Sequence, residues 1–367
     1  MSVAVNGSIC SYTYEEIDEL IGKNITEDDI LKWPCELVSF WIDLLPFVTV
    51  VKFLLSYGTS VIVAAGVFGN IVSLFVLVQS QMRKNPPNLY LTVLAVYDSC
   101  TLVFNFMVGV LRGNFETVNH VCQDSETLCT VHSVVVELFN ILSVWIIVAF
   151  TVERYVMIRY SLKVRPSRRK TCFTILFLSF VIFLISLHKI GVSGFEGDSV
   201  YGYKACKTRR LIFKEIIAVY VALNTWLPTM IIALVNVGII LELRISRKLN
   251  DSLPQKVLSE ADNRTTKLLL LVSTRYLLLV LPLGIVQTTE LIWNQMFAVT
   301  PDSPEYVNFM ITKLRLKWTR AFFFFFYQFN FAINIIIYVA SPVATQFRSH
   351  LCRVFRMKQK FESFEWS

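Results

Sequence analysis

Seven long apolar segments, separated by short polar ones, constrain this chain more than any other feature. Each is at or beyond the ~20 residues that an α-helix needs to cross the hydrocarbon core of a bilayer. Backbone polar groups find no water in lipid, so these segments must form internally hydrogen-bonded helices despite their many β-branched residues. We predict spans over residues 53–78, 89–111, 130–158, 171–194, 212–243, 264–294 and 318–341.

The composition excludes a single soluble domain. Hydrophobic residues make up 54% of the chain and charged residues only 17%, which is more apolar surface than one soluble core buries. The sequence also shows no metal-ligand cluster, phosphate-binding loop or nucleophile elbow, so we do not expect an enzyme. We expect an all-α membrane protein that lies in the lipid bilayer and has no nucleic acid among its partners.

Basic residues set the predicted orientation in the membrane. Clusters of Lys and Arg fill the first, third and fifth connections and the C-terminal tail, which places these parts in the cytoplasm by the positive-inside tendency. The segment before the first span is acidic and holds glycosylation acceptors at Asn6 and Asn24, so we expect it outside a plasma membrane. Lys313, Arg315 and Lys317, just before the last span, run against this tendency.

These signals divide the chain into three parts. We predict an extracellular segment over residues 1–50, a membrane domain over 51–342 and a cytoplasmic part over 343–367. In the last part, apolar residues interleaved with basic ones predict a short amphipathic helix on the inner leaflet. Cys352 in this helix is a palmitoylation candidate, and an unmodified interfacial cysteine is the equal alternative.

Several cysteines fall on the predicted oxidising side of the membrane. A bridge between Cys129 and Cys206 is the preferred pairing, because it would tie the top of the third span to the loop before the fifth. A bridge between Cys10 and Cys35 is the second choice, and it leaves Cys122 unpaired. The sequence does not settle the connectivity.

A charged triplet, Glu153-Arg154-Tyr155, ends the third span. Along an α-helix at ~1.5 Å per residue, Cys129 lies about 37 Å upstream, at the opposite face of the membrane. A charged pair is costly to desolvate within a bilayer, so the triplet indicates a functional role. The alternative is ordinary interfacial placement, since basic side chains at helix ends commonly reach toward water.

The motifs, taken in order, resemble those of rhodopsin-like (class A) G-protein-coupled receptors. The similarity runs from about residue 53 to residue 356, and each motif stands at that family's spacing. The matching residues are Gly69-Asn70, Leu94-Ala95-Val96-Tyr97-Asp98, Cys129, Glu153-Arg154-Tyr155, Pro228, Pro282 and the run from Asn330 to Tyr338. The resemblance implies a seven-transmembrane helix bundle that binds an extracellular ligand and activates a heterotrimeric G protein, with arrestin as a further partner.

Five residues form the G-protein coupling switch that this resemblance implies: Glu153, Arg154, Tyr155, Asp262 and Tyr338. In similar receptors, a link between the positions of Arg154 and Asp262 restrains the sixth helix. Its release opens a cleft for the G protein, as a bistable element does. A solvated Asp262 at the surface is the alternative.

Five polar residues are expected to converge in the middle of the membrane: Asn70, Asp98, Ser143, Asn330 and Asn334. A lone aspartate inside a membrane points to a function. In similar receptors, the positions of Asp98, Ser143, Asn330 and Asn334 hold a sodium ion that favours the inactive state, and oxygen ligands suit such a hard cation. The alternative is a protonated Asp98 that only makes hydrogen bonds between helices. No other cofactor is expected.

Two departures from the family pattern bear on signalling. Val280 stands where the family usually carries a tryptophan, and Ile335 stands where it carries a proline. These changes put the usual helix-repacking trigger in doubt, and Tyr276 is the residue expected to carry part of that role. They leave open a receptor-like protein that binds without signalling. A seven-helix channel or transporter is the other alternative, although no paired halves are evident.

The residues on the expected pocket faces indicate the class of ligand. Val136 stands where receptors for biogenic amines carry an aspartate, and Gln328 stands where opsins carry a lysine, so neither ligand class fits. The remaining candidates suit a neuropeptide with a basic or aromatic end. They are His132, Glu137, Glu290, Trp293, Tyr327 and Gln328. The alternative for Glu137 is a neutral carboxyl, or a pair with His132 or His188.

Overall fold

The computed structural model describes twelve stretches of the chain. These are residues 2–5, 8–13, 35–79, 86–115, 117–118, 121, 125–160, 167–197, 204–208, 218–250, 260–296 and 303–340. The predicted glycosylation sites Asn6 and Asn24, Cys122, the palmitoylation candidate Cys352 and the amphipathic helix that contains it lie outside the described residues.

Helices dominate the described part of the chain. They are α1 (Cys35–Phe53), α2 (Thr59–Leu77), α3 (Pro86–Thr101), α4 (Val108–Asn114), α5 (Glu126–Arg159), α6 (Arg168–Ser186), α7 (Lys189–Val192), α8 (Leu227–Asn250), α9 (Glu260–Met296), α10 (Tyr306–Tyr327), α11 (Phe329–Ala332) and α12 (Asn334–Ala340). Wider π-helical turns lie at Leu54–Gly58, Leu102–Met107 and Ala222–Trp226. Two antiparallel hairpins complete the inventory: β1 (Ser2–Val5) with β2 (Ser8–Thr13), and β3 (Ser193–Gly197) with β4 (Lys204–Thr208).

Six helical stretches of the described chain are long and apolar enough to cross a membrane. They are Glu36–Leu77, Pro86–Leu111, Glu126–Arg159, Arg168–Gly191, Ala218–Ile245 and Thr266–Trp293. Each overlaps one of the first six predicted spans, so the prediction of an all-α membrane protein is confirmed. The first stretch begins well before residue 53, because residues 35–52 are also helical.

The seventh predicted span, over residues 318–341, falls on three successive helices, α10, α11 and α12. The helical backbone is interrupted at Ile333, whose φ of −92° and ψ of 14° leave the α-helical region. Asn70 Nδ2 donates a hydrogen bond to the Phe331 carbonyl at 3.1 Å, and such a side-chain donor stabilises a break in a helix. The interruption therefore forms without the proline that Ile335 replaces.

Pro228 also sits at an irregular point. It is the second residue of α8 and directly follows the π-helical turn Ala222–Trp226. Inside a helix, a proline removes one backbone hydrogen bond and crowds the preceding turn, and a wider π-helical turn relieves both. Pro228 thus lies inside the continuous helical stretch Ala218–Ile245, beside an irregular turn of the kind at which helices bend.

The chain forms two compact units, each with its own packing. The smaller unit comprises Met1–Gly58 and Ile285–Phe325, and the larger unit comprises Thr59–Gly284 and Phe326–Ser367. In the smaller unit, the Trp41 and Trp318 rings lie 6.3 Å apart between centroids, and Phe47 lies 5.8 Å from Phe322. These contacts pack α1 against α10, which explains why residues 35–52 fold as a helix.

In the larger unit, α5 packs against α3, α6 and α8, while α2 packs against α3, α11 and α12. Glycines on α2 allow this helix to lie close to α11 and α12. A Cβ at Gly66 would lie 2.7 Å from Ala332 Cβ, and one at Gly69 would lie 2.8 Å from Ile335 Cγ2. Small residues let membrane helices approach closely, since helix association in lipid depends on packing.

Candidate functional site

A polar core lies around Asp98, which is fully buried on α3. Ser143 on α5 donates a hydrogen bond to Asp98 Oδ1, and Asn334 Nδ2 donates one to Asp98 Oδ2 at 2.5 Å. The same Asn334 nitrogen lies 3.1 Å from Asn70 Oδ1 on α2. The structure thus brings together four of the five predicted core residues, from α2, α3, α5 and α12.

The fifth, Asn330, is buried, but neither of its amide atoms has a hydrogen-bond partner among the described residues. Tyr338, predicted as part of the switch, is buried four residues after Asn334 on α12. Asn330 therefore does not join the hydrogen bonds that hold Asp98.

An arginine that the motif pattern did not single out completes this core. Arg275 lies on α9, is 7% exposed, and donates from Nη1 to Asn334 Oδ1 at 2.7 Å. Its Nε and Nη2 atoms have no hydrogen-bond partner in the described part of the chain. The sequence could have indicated Arg275, because a charged residue in the middle of an apolar span is costly to bury in lipid and therefore indicates a function.

Arg154 is buried near the predicted cytoplasmic end of α5, with 3% of its surface exposed. Its Nε atom donates a hydrogen bond to Thr266 Oγ1 on α9 at 2.9 Å. Thr266 stands four residues after Asp262, one helical turn along the same helix. The side chain of Asp262 is outside the described residues, and its link to Arg154 stays a prediction. Thr266 is a partner of Arg154 on the same helix that the sequence did not indicate.

The other two residues of the charged triplet face different helices. Glu153 accepts hydrogen bonds from the Tyr90 hydroxyl on α3 and from Thr171 Oγ1 on α6, the latter at 2.9 Å. Tyr155 lies against Gly238 of α8, where a Cβ would stand 2.8 Å from the Tyr155 ring. The triplet therefore contacts four helices, and Arg154 is its link to α9.

Glu137, a ligand candidate on α5, is buried and has a lysine and a histidine as neighbours. Lys189 Nζ lies 2.9 Å from Glu137 Oε2, and His188 Nδ1 lies 3.5 Å from Oε1. His132, the other predicted neighbour, instead places Nε2 2.8 Å from the Phe104 carbonyl. Of the alternatives left open for Glu137, the structure thus shows pairing beside His188, with Lys189 as an additional partner.

Two further ligand candidates belong to the smaller unit. Glu290 Oε2 lies 2.5 Å from Arg320 Nε. The Trp293 ring stacks on Phe309 with centroids 6.5 Å apart. Glu290, like Glu137, therefore has a cationic partner within its own unit.

A cluster of amides and phenols lies between α5, α9 and the helical residues 218–226 that precede α8, and we call it the Tyr220 cluster: Tyr220, Asn140, Asn224 and Tyr276. Asn224 Nδ2 donates to the Tyr220 hydroxyl at 3.2 Å, and Asn140 Nδ2 donates to it at 3.5 Å. The Tyr276 hydroxyl donates to the Asn224 carbonyl at 3.2 Å. The candidate Tyr327 lies close enough to Asn224 and Tyr220 to interact with both.

Several buried amide atoms have no hydrogen-bond partner among the described residues. They include the side-chain oxygens of Asn140 and Asn224 and both amide atoms of Gln328, which follows Tyr327. Gln328 is only 1% exposed. Buried polar atoms without partners are uncommon in proteins, and a bound ligand or an ordered water often satisfies them.

Cys129 forms a disulfide in the first turn of α5. Strand β3 packs against α5, and its partner strand β4 places Cys206 opposite Phe195. The hairpin thus brings the loop that contains Cys206 to the helix that contains Cys129.

One family model matches the chain. It is described as "7 transmembrane receptor (rhodopsin family)" and matches residues 69–338. The matched range contains the polar core, the charged triplet and the Tyr220 cluster. No curated protein matches the chain.

Proposed function

The chain belongs to the rhodopsin family of seven-transmembrane receptors, and we propose that it binds an extracellular neuropeptide and activates a heterotrimeric G protein. The proposal includes a plasma-membrane location with the N-terminus outside. It also includes the Cys129–Cys206 bridge, which the position of the β3–β4 hairpin supports. Arrestin is proposed as a second cytoplasmic partner, on the family resemblance alone.

The observation that carries the signalling proposal is the buried hydrogen bond between Arg154 and Thr266. It joins α5 to α9 at the predicted cytoplasmic end. If α9 moves outward, this bond breaks and the guanidinium becomes available to a cytoplasmic partner. A contact that exists in only one of two helix arrangements is what a conformational switch requires.

The helices of this switch keep their contacts despite the departures from the family pattern. Tyr276 on α9 bonds the Asn224 carbonyl in the π-helical turn before α8, so the sixth span contacts the fifth without the tryptophan that Val280 replaces. The seventh span is interrupted at Ile333 without a proline. These features favour a signalling receptor over a protein that only binds.

The ligand proposal rests on the unpartnered amides. A peptide backbone offers alternating N–H donors and carbonyl acceptors, which are the groups that Asn140, Asn224 and Gln328 lack. An unmade hydrogen bond in a buried site costs about 1–3 kcal/mol, so a ligand that satisfies these atoms gains affinity. Glu137 needs no cation from the ligand, because Lys189 already supplies one. We therefore place the peptide's main polar contacts on the amides.

A peptide screen tests both halves of this proposal. Cells that express the chain are exposed to a neuropeptide library, and calcium, cAMP and G-protein recruitment are recorded together. We expect at least one peptide to elicit recruitment, and Arg154→Ala at equal surface density to abolish it. Peptide binding without recruitment would favour the non-signalling alternative. A peptide-independent ionic current that survives Arg154→Ala would favour the channel.

A further inference from the structure

We propose that Arg275 is a built-in cation of the membrane core, which takes the place of a sodium ion beside Asp98 and makes this receptor indifferent to sodium. The inference concerns the core alone and does not depend on the identity of the ligand. It rests on the orientation of the Asn334 amide, whose oxygen faces Arg275 and whose nitrogen faces Asp98.

The guanidinium fixes the orientation of the Asn334 amide. Arginine is a donor only, so the atom that lies 2.7 Å from Arg275 Nη1 must be the Asn334 oxygen. The Asn334 nitrogen then faces Asp98 at 2.5 Å and Asn70 Oδ1 at 3.1 Å. The amide acts as a relay, because it accepts from the cation on one side and donates to the carboxylate on the other.

This orientation does not fit a sodium ion. Sodium requires oxygen lone pairs, and Asn334 presents an N–H donor to Asp98 while its oxygen is bound to Arg275. Ser143 donates to the other Asp98 oxygen, so both carboxyl oxygens of Asp98 already accept a hydrogen bond. Asn330 is outside these hydrogen bonds, since both of its amide atoms lack a partner in the described part of the chain. The four predicted ligands thus do not form one set of oxygens around a cation.

The charge of Arg275 also disfavours a sodium ion beside Asp98. Arg275 carries a positive charge and interacts electrostatically with Asp98, with Asn334 hydrogen-bonded to both. Arg275 is 7% exposed, so its charge needs a nearby counter-charge inside the membrane. Asp98 supplies it, and a second cation in the same place would meet the repulsion of the guanidinium.

A tethered cation differs from an ion in one functional respect. A sodium ion leaves when its concentration falls, whereas Arg275 remains part of α9 at every salt concentration. The contact from Arg275 to Asn334 joins α9 to α12, and Asn334 is joined in turn to α2 and α3. These contacts connect α2, α3, α9 and α12 without any dissolved ion, and a movement of α9 would break the one from Arg275.

Thermal unfolding of the purified receptor in lipid nanodiscs tests the proposal, with sodium chloride exchanged for N-methyl-D-glucamine chloride at constant ionic strength. We expect the wild-type Tm to be the same in both salts. Arg275→Met opens the Asp98 carboxylate, so its Tm should rise with sodium by roughly 2–4 °C, as binding to the folded state predicts. Adding Asp98→Asn to Arg275→Met should remove that response, and Arg275→Lys, which keeps the charge, should not acquire it.

Arg320→Met is the matched control, because it removes an arginine paired with Glu290 in the smaller unit. This variant should show no sodium response. A saturable sodium-dependent rise in the wild-type Tm overturns the proposal, and so does a folded Arg275→Met that remains indifferent to sodium. If Arg275→Met does not fold, the wild-type comparison decides, together with a sodium NMR titration of the wild type in which absence of line broadening supports the built-in cation and saturable broadening refutes it.

Discussion

The ammonium of Lys189 lies 2.9 Å from Glu137 Oε2, so a carboxylate deep in the predicted ligand pocket already has a cation of its own. Both groups are largely buried, with 14% of the Lys189 side chain and 4% of the Glu137 side chain exposed. The pair joins α5 to α7, and the ammonium also lies 5.9 Å from the centre of the Tyr220 ring. Glu137 therefore positions Lys189 at the edge of the Tyr220 cluster.

The first prediction concerns this pair. Glu137→Gln should destabilise the receptor by about 3 kcal/mol, because removing one partner leaves a buried charge uncompensated. Lys189→Met should have a similar effect. The double variant should be more stable than the sum of the two losses predicts, which a double-mutant cycle of thermal unfolding measures. Strictly additive losses would show that the two groups do not interact.

The second prediction separates binding from stability at Gln328. Gln328→Leu replaces a buried amide whose atoms have no hydrogen-bond partner among the described residues, so the free energy of unfolding should stay equal or rise by about 1 kcal/mol. The potency of a peptide agonist should fall about tenfold, since a lost hydrogen bond costs roughly 1.4 kcal/mol. Unfolding curves and concentration-response curves on the same variant test both. Lower stability with unchanged potency would contradict the ligand role.

The third prediction tests the close packing of α2. Gly66→Ala places a methyl group 2.7 Å from Ala332 Cβ and 2.9 Å from Ala332 Cα, so we expect a loss of about 1–3 kcal/mol from overpacking. Gly109→Ala is the control, because a Cβ there meets nothing within 4 Å. That change should be neutral or stabilise α4 by about 0.5–1 kcal/mol through helix propensity. Similar Tm values for the two variants would argue against the α2 contact.

The fourth prediction addresses the proposed bridge. Cys206→Ser should cost about 2–5 kcal/mol of stability and most of the surface expression, because it releases the loop from α5. Cys172→Ser is the control, since Cys172 is an exposed free thiol, and it should behave as wild type. Peptide mapping without reduction identifies the partner of Cys129. A cross-linked peptide that contains a cysteine other than Cys206 would replace this pairing.

Sequence patterns predict those features of this receptor that depend on local composition. A stretch of ~20 apolar residues has one solution in lipid, so the first six spans follow directly from the sequence. The helical residues 35–52 do not follow, because that stretch contains Glu36, Asp43, Pro46 and Lys52 and gains its packing from distant α10.

The candidate site shows the same limit. Asp98, Ser143 and Asn334 could be predicted to meet because similar receptors bring the same three positions together. Arg275 and Lys189 match no motif, and their partners depend on how each helix is rotated about its axis. Thr266, the described partner of Arg154 on α9, matches no motif either, because a motif indicates which helices meet and not which side chains along them touch.

The last prediction tests the switch with two matched threonine variants. Thr266→Val keeps the side-chain shape but removes the hydroxyl that accepts a hydrogen bond from Arg154. The bond joins α5 to α9, so its loss should favour the arrangement in which α9 lies further out. A hydrogen bond worth ~1 kcal/mol corresponds to about a fivefold shift in a two-state equilibrium, and basal G-protein recruitment should rise by that order.

Thr171→Val provides the comparison, because Thr171 Oγ1 also bonds the charged triplet, but through Glu153 and from α6. This variant removes a hydroxyl of the same kind without touching the link to α9, and its basal recruitment should match that of wild type. Both variants are measured at equal surface density without added ligand. Equal basal activity in Thr266→Val and wild type, or an equal rise in both variants, would mean that the Arg154–Thr266 bond does not hold α9 in place.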